Sequence, residues 1–553
     1  MEKSTVSNMP DGDIIPTEDF EPELDSPSKS TLMDDMELPK WQLMALSISI
    51  CCGLFLSLLD TTIVAAGLLT IGQDFGDLES LNWVALAYTL SYLGCAVIFA
   101  RVADIVGRKN AYIAALVIFI AFSLGCGFAK TLEQLIALRV MQGIGGSGLY
   151  SLTFIIFPEI STPEMSQVIG AAAGAVVAMA GILGPVLGGV ITHYTTWRWI
   201  FWINGPIGII PLIVFIIAWP KPHQIIHAQR RSWKHLDLIG AVLVIAASVC
   251  VVFAFQQAGI IPDSWNKPIF IVPLVIGCLC YVLLFCWEVA VAKYWAGSFA
   301  TMFPLHLIKH RVYMGYVLVT LIGGFPYFMV IYTLPLRLQV VNEKSQLVAG
   351  LALLPMVGAV AVFSTAAAII NTKKNLIFET LLTGALFSVL GTALLSTLKN
   401  VPWIEGKMYG FQVFIGIGFG LMVSTTSLGG GLECELKDTT VAQGIIAQVR
   451  VLGGSIGIAA STAIMGTTLR RDLAKYPHLA GTEGQVERVK AVNADAFRQS
   501  MQVCAAITGV GVLATFLVWR KERIGFTERR RQQMENAQEM RRQEGEVEKV
   551  GKV

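Results

Sequence analysis

The chain has 553 residues, 54% of them hydrophobic and only 14% charged, with a formal net charge of +2. Soluble domains carry about 25% charged residues, so a soluble enzyme is excluded. The near-neutral balance also argues against a nucleic-acid partner. Residues 1–42 are acidic, rich in Pro and Ser, and lack an apolar core, so they are expected to be a disordered cytoplasmic tail rather than a signal peptide or a span. Beyond them, apolar stretches recur roughly fourteen times, centred at about residues 55, 92, 119, 146, 179, 208, 247, 279, 323, 359, 387, 418, 455 and 510, each near the length needed to cross a bilayer as a helix. The expected fold class is therefore all-α and polytopic.

Charges inside a bilayer are unfavourable, so each one is a candidate for function with a partner to be found. The first span holds Asp60 within Leu59-Asp-Thr-Thr-Ile-Val64. Removal from water favours the protonated form of a carboxylic acid, which suits a group that takes up and releases protons. Between the second and third spans the chain reads Ala100-Arg-Val-Ala-Asp-Ile-Val-Gly-Arg-Lys109. Asp104 and Arg108 are four apart, close enough to pair, and Gly107 permits a tight turn. Arg139 lies in the fourth span, four residues before Gly143-Ile-Gly-Gly-Ser-Gly-Leu149.

The fifth span carries Gly184-Pro-Val-Leu-Gly-Gly189, a string that predicts a kinked helix packed tightly on a partner. Trp197-Arg-Trp-Ile-Phe-Trp-Ile-Asn204 follows, with aromatics suited to an interfacial belt. Glu288 sits near the inner end of the eighth span, where it is expected to reach toward the headgroups. Gly416-Ile-Gly-Phe-Gly-Leu421 in the twelfth span echoes the fourth, with Gln412 standing where Arg139 would. Gly453-Gly-Ser-Ile-Gly457, after Arg450 in the thirteenth span, echoes the fifth. Both echoes are eight spans apart, giving a pattern of six, two and six, as in transporters built from repeated bundles.

Lys and Arg cluster at Arg108-Lys109, at Lys221 with Arg230, Arg231 and Lys234, at Lys309 with Arg311, at Lys373-Lys374 and after Arg520. With an even number of spans these fall on one side together with both termini, which the positive-inside rule makes cytoplasmic. Nine of the ten cysteines lie in apolar spans and Cys434 in a loop; none has metal-ligand or disulfide spacing, so they are expected to be packing residues. No phosphate-loop string is present, so ATP is not expected, and His193 reads as a solvated loop residue.

These motifs together resemble the major facilitator superfamily, in particular its fourteen-span drug:proton antiporter branch as found in fungal toxin and multidrug efflux pumps. Asp104, Gly107, Arg108 and Lys109 match its loop motif, with Ala100 in place of the leading Gly and Val102 in place of Leu. Leu135, Arg139, Gln142 and Gly143 match the fourth-span motif, whose arginine is implicated in proton coupling. Gly184, Pro185, Gly188 and Gly189 match the antiporter motif, with Ala171 and Ala180 at its upstream glycine positions. Asp60, Thr62 and Val64 match the first-span motif, where Ala65 and Leu69 replace its Asn and Pro, and Trp197, Arg198, Trp199, Phe201, Asn204 and Pro206 match the sixth-span signature. Asp237 and Gly240 resemble the start of the extra helix pair, and Leu334, Pro335, Gln339, Gly350, Leu351 and Pro355 resemble the ninth and tenth spans.

The resemblance implies two six-helix bundles, residues 43–220 and 312–520, joined by two extra central transmembrane helices within 221–311, with a charged cytoplasmic tail at 521–553. It implies proton-coupled efflux of amphipathic small molecules (toxins, drugs or secondary metabolites) by alternating access, with no enzymatic reaction and no cofactor. Asp60 and Arg139 would carry proton coupling, Asp104, Gly107, Arg108 and Lys109 the cytoplasmic gate, and Gly184, Pro185, Gly188 and Gly189 the antiporter motif. The partners are a small-molecule substrate, protons and the bilayer of the cell membrane or vacuole, the protein working as a monomer without ATP or nucleic acid. Asp60→Asn is expected to impair export at unchanged surface abundance. Alternatives are an amino-acid or siderophore porter of the same branch, or a non-transporting nutrient sensor.

Overall fold

The computed structural model describes residues 39–76, 82–160, 236–260, 264–295, 301–434, 438–473 and 483–521, all of 179–220 save 182 and 185, and positions 176 and 475. Most of both expected tails, the basic segment 221–235 and the antiporter-motif Pro185 lie outside these residues. Among the described residues, thirteen helices are long and apolar enough to cross a membrane. The fourteenth expected span is represented by α5, an apolar helix at the described positions of Met179–Tyr194.

In chain order the helices are α1 (Lys40–Phe75), α2 (Asn82–Val106), α3 (Arg108–Gly127), α4 (Leu132–Ile160), α5, α6 (Asn204–Ala218) and α7 (Leu238–Ile260). Then come α8 (Pro268–Tyr294), α9 (Arg311–Val340), α10 (Leu354–Lys374), α11 (Ile377–Leu395), α12 (Lys407–Leu432), α13 (Thr439–Leu473) and α14 (Glu483–Thr515). Local chemistry sets several ends. Glu133 stands in the first turn of α4, where the helix dipole favours an acid, and the Thr131 hydroxyl accepts from the Gln134 N–H at 3.3 Å. Pro268 opens α8, where its missing N–H leaves nothing unpaired, and Asn375 ends α10 in the left-handed conformation.

Packing follows the glycine strings. In α4, a Cβ on Gly143 would meet the Tyr88 carbonyl of α2, and one on Gly145 would meet the Phe119 amide and Ala115 carbonyl of α3. In α12, Gly416 and Gly420 face the Met356 and Val360 carbonyls of α10, while Gly418 faces the Gly384 carbonyl of α11. The two echoing strings thus do the same job eight helices apart: they let one helix press its backbone onto two neighbours. In the fifth and thirteenth spans the glycines close on one neighbour each, Gly184 on the Thr62 side chain and Ile63 amide of α1, and Gly453 and Gly457 on the Leu321 and Phe325 carbonyls of α9.

In the α7–α8 pair it is α7 that packs on α2 and α13, with α8 held against α7. Its helix α8 is the most outward: 17% of its apolar window is buried, against 78% for α4. This contrast separates a lipid-facing helix from a central one. At the end of the molecule bearing Arg311 and Arg520, Glu433 pairs with Arg520 and lies 3.7 Å from His310, tying the ends of α9, α12 and α14 together. Burial pushes the Glu433 carboxyl up, and Arg520 and His310 oppose that shift.

Candidate functional site: a buried ion pair and a charged turn

The structure brings Asp60 and Arg139 together. The Arg139 Nη1 donates to Asp60 Oδ2, and the two side chains are 1% and 0% exposed. Neither charge has water to solvate it, so the pair is stabilised by the groups around it. Gln142, one turn beyond Arg139 on α4, donates from Nε2 to Asp60 Oδ1 at 2.9 Å and accepts from Arg139 Nη1 at 2.9 Å. Asn204 of α6 donates to the same Asp60 Oδ1 at 3.3 Å and to Ser123 Oγ of α3 at 2.9 Å. Ser123 passes the chain on to the Phe201 carbonyl at 2.9 Å. The Arg139 Nε donates to the Val84 carbonyl of α2 at 3.1 Å, and its guanidinium lies 4.2 Å from the Tyr88 ring centroid.

Five helices therefore meet at one carboxylate and one guanidinium. Tyr88 closes the cluster by donating to the Ser57 carbonyl of α1 at 2.7 Å. Asp60 and Arg139 are legible in the sequence as charges placed in apolar spans. Gln142 and Asn204 stand within quoted motifs, but nothing in their local pattern assigns them to Asp60. Ser123 is not legible in the sequence, because a single serine in a membrane helix gives no signal of its partner.

The charged turn between α2 and α3 forms as the spacing predicts. Gly107 has φ 89 and ψ 150, a conformation open to glycine and strained for other residues. Arg108 Nη1 donates to Asp104 Oδ1 at 2.7 Å and to the Ala103 carbonyl at 2.9 Å. Its other face takes Glu159 of α4, with Nη2 to Oε1 at 3.1 Å. Lys109 Nζ reaches the Ile216 carbonyl of α6 at 3.3 Å. Among the described residues, these contacts hold α2, α3, α4 and α6 to one another. Contact with the later helices is made one turn earlier, where a Cβ on Gly444 of α13 would touch the Ala100 side chain, and where Arg101 donates to the Thr301 carbonyl ahead of α9. Gly107→Ala should lower stability by about 1–3 kcal/mol through backbone strain. Thermal unfolding in detergent checks this, with Gly358→Ala on α10, where an added Cβ meets nothing, as the neutral comparison.

Of the antiporter motif, Gly184 and Gly188 are buried and Gly189 half-buried, and the Thr192 hydroxyl donates to the Gly188 carbonyl at 2.8 Å. The expected close packing occurs at Gly184; the kink at Pro185 lies outside the described residues. In the sixth-span signature, Trp197 and Arg198 donate to Asp74 Oδ2 at 2.9 and 3.1 Å, which holds that carboxyl below its usual range. Trp197 is thus an internal clasp, whereas Trp199 is exposed and fits the belt.

Glu288 does not reach toward the headgroups. It is 1% exposed and accepts from the Phe303 N–H at 2.8 Å, because the chain after α8 folds back over it and brings a backbone donor within reach. Arg450 is buried, donates to Ser427 Oγ of α12 at 2.9 Å and lies 5.0 Å from the Phe154 ring of α4. His193 is exposed beside Tyr194.

The family model described as Major Facilitator Superfamily matches residues 50–458. A relative named MFS-type transporter FPY5, from Fusarium mangiferae, is 31% identical over 505 residues, covering 87% of this chain and 84% of its own. Efflux pump roqT of Penicillium rubens is 28% identical over 440 residues, covering 79% and 80%. Among solved structures, a bacterial homologue of the human lysosomal transporter Spinster, in an inward-facing and unoccupied conformation, superposes with a TM-score of 0.55 at 14% identity, over 88% of this chain and 100% of that one.

Proposed function

The chain belongs to the major facilitator superfamily, and from that membership we propose that this multi-pass membrane transporter exports amphipathic small molecules in exchange for protons. The observation that carries the proposal is the fully buried Asp60–Arg139 pair with its Gln142 and Asn204 partners. A carboxylate that accepts from three side chains on two helices exchanges its partners when it gains a proton, which links proton uptake to helix arrangement. The efflux pump among its relatives supports the outward direction.

In this reading residues 43–220 and 312–520 are two bundles that rock about a central cavity, and the pair within 221–311 lies beside them. Asp104, Gly107, Arg108 and Lys109 stiffen the cytoplasmic end of the first bundle, and Gly184, Gly188 and Gly189 keep α5 close to α1. Both termini are cytoplasmic, since Arg108, Lys109, Lys309, Arg311 and Arg520 share one end. The driving force is the proton gradient, without ATP, and one chain forms the whole pathway in the cell or vacuolar membrane.

The test is retention of a mixed panel of amphipathic dyes and toxins in cells producing the protein, with and without a protonophore. Lower retention that the protonophore abolishes is the expected result. Unchanged retention across the panel with protein at the membrane would sink the export reading, and accumulation of an amino acid or siderophore would replace it with uptake.

A further inference from the structure

A second buried arginine lies apart from the Asp60 site. Arg337, near the end of α9, is 4% exposed. Its Nη2 donates to the Lys399 carbonyl at 2.6 Å, while its Nη1 is buried without a hydrogen-bond partner. The guanidinium lies 5.0 Å from the Phe497 ring of α14. It lines a small pocket of about 70 Å³, open on one side, between α9, α13 and α14. That is too small to enclose a drug-sized ligand, and leaves room for the polar end of a small one that projects through the mouth.

The hydroxyls of Thr333, Ser461 and Ser500 and one N–H of Asn493 are spent within their own helices. Thr333 donates to the Met329 carbonyl at 2.8 Å, Ser461 to Ile458 at 2.7 Å, Ser500 to Ala496 at 2.8 Å, and Asn493 Nδ2 to Val489 at 2.8 Å. Their oxygens remain able to accept. The acid that acts on Arg337, Glu405, is engaged elsewhere: it accepts from Lys407 Nζ at 3.0 Å and from the Lys399 N–H at 2.8 Å. The space thus offers one unpaired cationic donor, several acceptors and an aromatic wall. A buried guanidinium N–H left unpaired is unfavourable, and a ligand that completes it gains a charge-assisted hydrogen bond.

We propose that this pocket binds the carboxylate of a small amphipathic acid that also carries hydroxyl or amide N–H groups, with Arg337 taking the carboxylate and Thr333, Ser461, Asn493 and Ser500 accepting from those donors. The inference rests on the export reading for its purpose only. Binding is measured without transport, so failure of either leaves the other standing.

The experiment uses the purified full-length protein and 3-hydroxybenzoate as probe, with 3-hydroxybenzamide as its neutral counterpart, read by thermal shift and calorimetry. The acid should stabilise the protein and the amide should not. Arg337→Gln should weaken the acid at least about tenfold, the loss of one charged hydrogen bond. Arg337 also caps the Lys399 carbonyl, so Asn493→Ala, which removes a pocket oxygen and a bond within its own helix, serves as the second variant and should weaken the acid by severalfold. No response to the acid, an equal response to the amide, or undiminished binding by both variants would overturn the proposal. Stabilisation by phosphatidylglycerol alone, with 3-hydroxybenzoate silent, would overturn it in favour of a lipid headgroup.

Discussion

Asp60→Asn is expected to reduce export at least about tenfold and, in the same step, to lower the amount of folded protein in the membrane. The sequence alone suggests only the first effect. The structure adds the second, because Asp60 is the one carboxylate hydrogen-bonded to Arg139 among the described contacts, and both are fully buried. An amide at position 60 can still accept from Gln142 and Asn204, but it turns an N–H₂ group toward a guanidinium and leaves that charge without an anion. Breaking a buried pair from one side costs about 3–5 kcal/mol.

The double variant Asp60→Asn/Arg139→Gln separates the two effects. It removes both charges and should restore much of the folded protein while export stays lost. Membrane abundance by surface labelling, and efflux with and without a protonophore, are the two readouts. Proton-driven export by the double variant would make the pair a structural element and remove it from the coupling mechanism.

Gly453→Val is expected to have the largest effect on folding. Its added Cβ would run into the carbonyl of Leu321 on α9, a backbone atom that cannot rotate aside. The flanking contacts allow no retreat: Gly457 faces the Phe325 carbonyl, and Gly324 of α9 faces the Arg450 carbonyl in return. Overpacking of side-chain against side-chain costs about 1–3 kcal/mol, and a backbone obstacle should exceed that range. The thermal midpoint in detergent, with Gly358→Val as the comparison at a site with open space, measures the effect. Equal midpoints for the two would show that α9 and α13 are not held at this line.

Hydropathy made nearly all the spans legible, because a helix facing lipid must be apolar over its whole length. Asp60 and Arg139 were legible for the same reason, as charges where none belong. Arg101 and Arg337 were not. They lie near the ends of their helices, where a basic residue ordinarily meets water, and only the chain folding back (Thr301 over Arg101, Lys399 over Arg337) encloses them. Glu288 departs from expectation for a related reason: the backbone donor at Phe303 comes from a segment whose path no local pattern reveals. Loop motifs behaved better. Gly107, Asp104 and Arg108 interact within five residues, and short-range geometry can be read from spacing.

The line of contact between α9 and α13 has a mechanical meaning. Where side chains of one helix sit in grooves of the next, a shift by one residue lifts every tooth out of its slot. At Gly324, Gly453 and Gly457 the facing surfaces are bare backbone, interrupted by the Phe328 side chain over Gly454, so there is little to lift. Such a line works as a bearing, on which two helices can turn or slide while staying in touch. Gly184, eight helices earlier, differs: it seats the Thr62 side chain of α1, whose hydroxyl donates to the Ala180 carbonyl at 3.1 Å and pins the two helices together. The bearing between α9 and α13 would let the second half change its tilt without opening a gap to lipid, and any side chain grown on it would act as a brake.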